Sequence, residues 1–222
     1  LTNEEFEDLN KANNIDSLYN YALGLLVKES YSTFVIRKKL WAKGASIDES
    51  SYIVHKLTKE GYLNDKRFAD TFAKDIAQVK DIGEFKILYQ LKKKGIDEEI
   101  IGDIKFDKSY EEKKANELVR KLNKKFDKTP DRKKKDKIYS SLISRGFDND
   151  IAEKALLNVS PAPREIILQE LKKDYQNVMQ KYSSLPKGKD LRVKIYRNLM
   201  SKGYDFDDII KIMKEDKNYE DD

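Results

Sequence analysis

One short pattern, Leu-x-x-(Lys/Arg)-Gly, occurs four times in this chain and constrains its fold more than any other feature. Successive copies are 51, 51 and 57 residues apart. Regular spacing on this scale is typical of tandem-repeat proteins, in which each structural unit packs against the next one. The glycines that end the four copies are Gly44, Gly95, Gly146 and Gly203.

The residues around each glycine predict a helix, a turn and a second helix. In the first copy, Ile36 and Leu40 are four positions apart, which places them on one face of a helix. A basic residue before the glycine complements the negative end of that helix, and glycine takes the left-handed conformation that ends it. Two residues after each glycine stands a side chain typical of a helix start: Ser46, Asp97, Asp148 or Asp205.

A longer helix with an apolar face precedes each pair, as Phe68, Phe72 and Ile76 indicate for the second copy. We therefore predict an all-α protein built from tandem repeats of about 50 residues. Each repeat would be a three-helix, helix-turn-helix-like module, and together they would form an elongated curved array. The predicted segments are an acidic N-terminal segment at 1–16, repeats at 17–64, 65–107, 108–159 and 160–216, and a polar tail at 217–222.

The side chains that most catalytic and metal sites use are scarce. The chain has no cysteine and a single histidine, His55, which excludes disulfides, cysteine nucleophiles and zinc sites built from cysteine and histidine. Neither a Walker-type phosphate loop nor a dinucleotide-binding glycine motif is present. We predict a cytoplasmic monomer that is not an enzyme, needs no cofactor and does not enter a membrane.

Positive charge is concentrated in the third predicted repeat, 108–159, whose net charge is +6. Its densest run, 132–137, follows Thr129 and Pro130, which predict a helix with Thr129 as N-cap and Pro130 in the first turn. Cations at that end of a helix repel one another and oppose its dipole, so a bound polyanion would stabilise them. A solvated cationic surface without a ligand explains the same run.

Basic residues recur on the middle helix of every repeat, and equivalent positions in an array line one side. Such a surface suits an extended anionic partner, which is either a nucleic acid or an acidic protein. We expect electrostatic contacts only, with no catalytic, cofactor-binding or metal-binding residue. The candidate contacts are Lys92, Lys93, Lys94, Arg132, Lys133, Lys134, Lys135, Arg145, Arg192, Lys194 and Arg197.

Residues 61–69 read Gly-Tyr-Leu-Asn-Asp-Lys-Arg-Phe-Ala and lie between two Leu-x-x-Lys-Gly turns. This combination resembles the bacterial RecX family, and the resemblance covers about residues 18–215. The chain departs from the usual family pattern at 34–36, where Phe-Val-Ile replaces a more polar, Glu-containing helix start. The family core has three repeats, whereas this chain has four. Longer members of the family occur in Gram-positive bacteria.

The resemblance implies a non-enzymatic regulator of the RecA recombinase. Proteins of this family bind RecA and its filament on single-stranded DNA, and they modulate, most often inhibit, ATP hydrolysis and strand exchange. This would place the chain in DNA repair, homologous recombination and the SOS response. The resemblance also implies that the chain binds single-stranded DNA directly, and it leaves open whether the chain binds duplex DNA too.

Two other functions fit the same residues. A stand-alone helix-turn-helix DNA-binding protein would need a base-reading helix, but the short third helices begin with acidic runs such as 97–99 and 205–208. A protein-only helical-repeat adaptor would use the same array without touching nucleic acid. Salt-dependent nucleic-acid binding separates the adaptor from the other two functions.

Overall fold

The computed structural model describes residues 2–186 and 188–216, and only the backbone of residues 3–11. Within these ranges the chain is all-helical, with no β-strand. The twelve helices are α1 (Asn3–Leu26), α2 (Thr33–Ala42), α3 (Ile47–Lys59), α4 (Asp65–Val79), α5 (Glu84–Lys93), α6 (Glu98–Asp103), α7 (Lys108–Lys125), α8 (Asp131–Ser144), α9 (Asn149–Leu156), α10 (Arg164–Lys181), α11 (Lys189–Ser201) and α12 (Phe206–Glu215).

The chain divides into two compact units, Leu1–Asp107 and Lys108–Asp222. The first unit holds two three-helix modules, α1–α3 and α4–α6, and the second holds α7–α9 and α10–α12. We call these modules 1 to 4. The prediction of an all-α chain of tandem three-helix modules is confirmed, while the exact limits of the repeats and their curved arrangement stay predictions. The tail at 217–222 lies outside the described residues.

All four repeat glycines end a middle helix in the left-handed conformation, with φ of +99°, +74°, +82° and +93° along the chain. The leucine of each repeat completes the turn. The carbonyl of Leu40, for example, accepts the N–H of Ala45 at 3.0 Å, and Leu91 does the same for Ile96 at 3.2 Å. These bonds satisfy carbonyls that a helix end otherwise leaves without a partner. The repeated pattern therefore encodes a helix stop.

The helix starts follow the sequence prediction with one exception. Ser46 forms a capping box with Glu49, and Asp97, Asp148 and Asp205 each accept a backbone N–H in the first turn of the next helix. The predicted N-cap at Thr129 is wrong. Helix α8 begins at Asp131, and Pro130 precedes it without a side-chain hydrogen bond. The proline's extended backbone, with ψ of 142°, delays the helix by one residue.

Each module has an apolar core of its own, centred on the isoleucine and leucine of its middle helix. All eight of these side chains are at most 1% exposed. Burying one such side chain contributes about 1.5–3 kcal/mol, so the repeated pair anchors every module. The eight residues are Ile36, Leu40, Ile87, Leu91, Ile138, Leu142, Ile195 and Leu199. Among the described helices, none is long and apolar enough to cross a lipid bilayer.

Candidate nucleic-acid interface

The start of a middle helix forms the junction between modules 1 and 2. The hydroxyl of Ser32 donates to the carbonyl of Lys94 at 2.6 Å. The backbone N–H and the hydroxyl of Thr33 donate to the two carboxylate oxygens of Asp65, at 2.8 and 2.6 Å. Module 1 is thus joined to the turn and to the first helix of module 2 by polar contacts.

The junction between modules 3 and 4 uses different side chains at the same place in the repeat. The ammonium group of Lys134 donates to the carbonyl of Ser160 at 2.9 Å, and the N–H of Ala162 donates to Asp131 at 2.7 Å. Lys134 and Ser32 both stand twelve residues before their turn glycine. The lysine therefore performs the joining role that serine has in the first unit.

Lys134 was predicted to contact a ligand, but its position in the structure does not fit that role. Its side chain is only 1% exposed, and burial lowers the pKa of its ammonium group, partly offset by Asp131 and Asp127. A side chain committed to Ser160 in this way is not available to a large ligand. We therefore exclude it from the surface candidates, although it lies in the middle of the cationic run.

The other cations at the start of α8 remain accessible. Arg132 and Lys135 are exposed, and Lys133 is half-buried along its stem. Among the described residues, no carboxylate lies within ion-pair distance of these three side chains. Their charges also lie at the positive end of the helix dipole. This cluster holds unneutralised positive charge that a polyanion can bind.

The cations at the end of α5 are partly occupied within the protein. Lys92 pairs with Glu98 at 2.6 Å, and this contact raises the pKa of the lysine. The ammonium groups of Lys93 and Lys94 lie over aromatic rings, 4.8 Å from the ring centre of Tyr89 and 5.1 Å from that of Phe72 respectively. Because Lys92 and Glu98 are largely exposed, their pairing is weak and a competing anion can replace it.

The remaining candidates belong to unit 2. Lys194 and Arg197 are exposed on α11, whereas Arg145 and Arg192 are half-buried. The structure therefore groups the candidates into the end of α5, the start of α8 and α11, except for Arg145, which lies at the opposite end of α8. Two exposed lysines near α8, Lys128 and Lys137, were missing from the predicted set. Lys137 ends the cationic run, but nothing local in the sequence indicates that Lys128 lies close to it.

Sequence models of two RecX domains match the chain. The model of the second three-helix domain matches residues 64–103, and that of the third matches 110–156. These ranges fall on modules 2 and 3. Module 4, which starts with α10, follows the segment that matches the third domain.

Several known proteins are similar to the chain. Regulatory protein RecX of Streptococcus sanguinis (strain SK36) is 31% identical over 171 residues, covering 74% of this chain and 64% of the relative. Its counterpart in Streptococcus gordonii (strain Challis) is 26% identical over 221 residues, covering 97% and 84%. The crystal structure of RecX from Lactobacillus salivarius has 29% identity and a TM-score of 0.62, and the match covers 67% of this chain and 97% of that one.

The match spans 64% of the length of the first streptococcal relatives. These relatives are named as regulatory proteins, not as enzymes, in agreement with the sequence prediction.

Proposed function

The chain belongs to the RecX family, and we propose that it binds the RecA recombinase and the filament that RecA forms on single-stranded DNA. In this proposal it restrains the filament's ATP turnover and strand exchange, and so regulates homologous recombination and DNA repair in the cytoplasm.

The unpaired cations at the start of α8 are the observation that carries the DNA part of this proposal. Arg132, Lys133 and Lys135 place three positive charges on about one turn of helix, with no carboxylate partner among the described residues. Like charges three residues apart on one helix repel, which destabilises the folded protein while no anion is bound. A strand of phosphates offsets the repulsion and releases counterions when it binds.

The modules supply the means of restraint. Each one is a separately packed core, and polar junctions join the modules of a unit in pairs. A chain of such modules that contacts neighbouring RecA protomers and the strand between them would hinder filament growth and the movements that accompany ATP turnover. The exposed cations of α5 and α11 would add contacts to the strand or to acidic RecA surface.

A binding measurement tests the proposal. The labelled chain is titrated, at fixed salt, with preformed RecA filaments on single-stranded DNA, with bare single-stranded DNA and with RecA alone, and fluorescence anisotropy is followed. We expect filaments to bind at least about tenfold more tightly than the bare strand, because two partners contribute at once. Replacing Arg132 and Lys135 by Gln should weaken both DNA-containing complexes more than the matched change of Lys211 and Lys214, which are exposed on α12.

Two results would contradict the proposal. Equal affinity for filament and bare strand would indicate a stand-alone DNA-binding protein. Binding to RecA alone, with no dependence on salt or DNA, would indicate a protein-only adaptor.

A further inference from the structure

A cleft of about 310 Å³ lies between modules 3 and 4, inside unit 2. One wall comes from the turn between α7 and α8 and the start of α8, and the other from α10, the end of α11 and the turn that follows it. Charged residues line both walls, with Lys128, Lys133 and Lys137 on the first and Glu170 and Asp174 on the second.

Charges on the two walls of the cleft are arranged differently. On the α10 wall, Asp174 accepts from the ammonium of Lys202 at 2.6 Å and from the hydroxyl of Tyr204 at 2.7 Å. Glu170 likewise accepts from Lys173 at 2.9 Å. The acids of this wall are therefore already neutralised by neighbouring donors.

On the α8 wall, three lysines have no such partner. Among the described residues, no carboxylate lies within ion-pair distance of Lys128, Lys133 or Lys137. The ammonium of Lys137 lies 5.3 Å from the ring centre of Phe126, an aromatic contact that leaves the charge in place. Thr129 also lines the cleft and adds a hydroxyl beside the free cations, whereas the hydroxyl of Ser201 donates to the carbonyl of Asn198 at 2.7 Å.

The first unit also has a cleft between its two modules, and the residues that line it include no lysine. That cleft lies between modules 1 and 2, and Leu26, Val27 and Tyr31 line it. Counted back from the turn glycines, Leu26 corresponds to Lys128 and Tyr31 to Lys133, at 18 and 13 residues respectively. At these two positions unit 1 has a leucine and a tyrosine, in a cleft that Arg67 also lines, whereas unit 2 has two lysines.

We propose that the cleft between modules 3 and 4 is a phosphate-binding site, in which Lys128, Lys133 and Lys137 hold a phosphate group of a single-stranded DNA backbone. The choice of DNA as the source of the phosphate rests on the proposed function. Three lysines and the hydroxyl of Thr129 around one opening match the charge and hydrogen-bonding capacity of a phosphodiester. Because module 4 supplies the second wall, this site requires the fourth module.

Charge-matched variants of the full chain test the phosphate site in the absence of RecA. The result therefore does not depend on whether the chain binds RecA. Variant one replaces Lys128, Lys133 and Lys137 by Gln. The control replaces Lys172, Lys211 and Lys214, which are exposed elsewhere in the same unit, by Gln. Each is titrated with a labelled oligo-dT strand over a series of salt concentrations, and separately with inorganic pyrophosphate by calorimetry.

We expect the cleft variant to bind oligo-dT about fivefold more weakly than the control at about 0.1 M salt, since one phosphate contact to a single strand contributes a log–log salt slope of about −0.7. Its slope should be shallower by that amount. Pyrophosphate binding should be lost in the cleft variant and kept in the control. Loss of pyrophosphate binding alone, with oligo-dT binding unchanged, would overturn DNA as the source of the phosphate. Equal behaviour of both variants toward both ligands would overturn the site itself.

Lys133 also packs against the turn of module 4, so the triple change could disturb folding. A second pair keeps Lys133 and compares Lys128→Gln/Lys137→Gln with Lys211→Gln/Lys214→Gln, in which all four lysines are exposed. Far-UV circular dichroism checks that each protein is folded. The same order of affinities is expected, and identical affinities in folded proteins would overturn the proposal.

Discussion

The ring of Phe34 lies against Gly95, so closely that a Cβ on this glycine would stand 2.7 Å from the ring's Cδ1. The repeat glycine therefore has two functions. It ends helix α5 with a positive φ of 74°, and its bare Cα makes room for the start of α2 from the preceding module. Gly203 has the same arrangement, since a Cβ there would stand 2.8 Å from Cβ of Lys133.

Replacing Gly95 by Ala should destabilise the first unit more than replacing Gly44 by Ala. Both changes force a side chain into a left-handed backbone, but space around Gly44 is open, whereas at Gly95 the ring of Phe34 must move. The overlap should add about 1–3 kcal/mol to the loss, the usual cost of overpacking. Urea denaturation followed by fluorescence of Trp41, the chain's single tryptophan, measures this unit. An equal or larger loss for Gly44→Ala would show that Phe34 does not constrain the turn.

The carboxylate of Asp65 should be needed to hold modules 1 and 2 together. Asp65→Ala removes the acceptor of two hydrogen bonds from Thr33 and should cost about 1–3 kcal/mol in the free energy of unfolding. Asp70→Ala, an exposed position on the same helix, should change it by no more than about 0.5 kcal/mol. The same urea titration compares them, and similar values for the two variants would contradict the assigned role.

Lys134 should make the stability of the second unit depend on pH in the alkaline range. Burial lowers the pKa of Lys134 in the folded protein, so the unfolded chain binds the proton more tightly. The contribution of Lys134 to the free energy of unfolding should therefore rise with pH. The rise should occur between the lowered pKa of the folded protein and the ordinary lysine pKa of about 10.4.

The variant Lys134→Met lacks this titration. The free energy of unfolding of the wild type, relative to Lys134→Met, should thus be higher at pH 10 than at pH 7, as measured by urea denaturation with circular dichroism. Lys135→Met, a change at an exposed neighbour, serves as the control and should keep the wild-type pH dependence. A wild-type advantage that falls as pH rises would show that the folded protein favours the charged form.

Glu98→Gln should strengthen binding to single-stranded DNA. The change releases Lys92 from its ion pair with Glu98 on an exposed surface, and it leaves that ammonium free for a phosphate. Glu99→Gln removes the same charge from the adjacent position without releasing Lys92. We expect an affinity gain of about two- to threefold for Glu98→Gln over Glu99→Gln at low salt, measured by anisotropy. Equal gains would mean that Lys92 makes no DNA contact.

Local signals explain why much of the fold could be predicted from the sequence. The Leu40-to-Gly44 pattern encodes a buried side chain, a helix stop and a turn within five residues, and the following Ser46 starts the next helix. Such signals need no knowledge of distant contacts. The start of the first helix was less predictable. Helix α1 begins at Asn3 and so runs through 1–16, which the sequence predicts to be a separate acidic segment.

The site was less predictable because it depends on contacts between modules. In the sequence, Lys134 is one of four consecutive cations, and only its packing against Ser160 separates it from its exposed neighbours. Lys128 comes close to Lys133 and Lys137 through the turn before α8, and module 4 completes the cleft around them. Contacts between residues tens of positions apart leave no periodic pattern for sequence reasoning to find.

The central claim is that this chain regulates RecA by acting on its DNA filament, and RecA's ATP turnover tests it most directly. Turnover on single-stranded DNA is measured at fixed salt while the chain is added. The account predicts inhibition at concentrations well below those that saturate the DNA, because one bound chain restrains several protomers. No effect until the DNA itself is coated would mean simple competition for the strand, and would contradict the account.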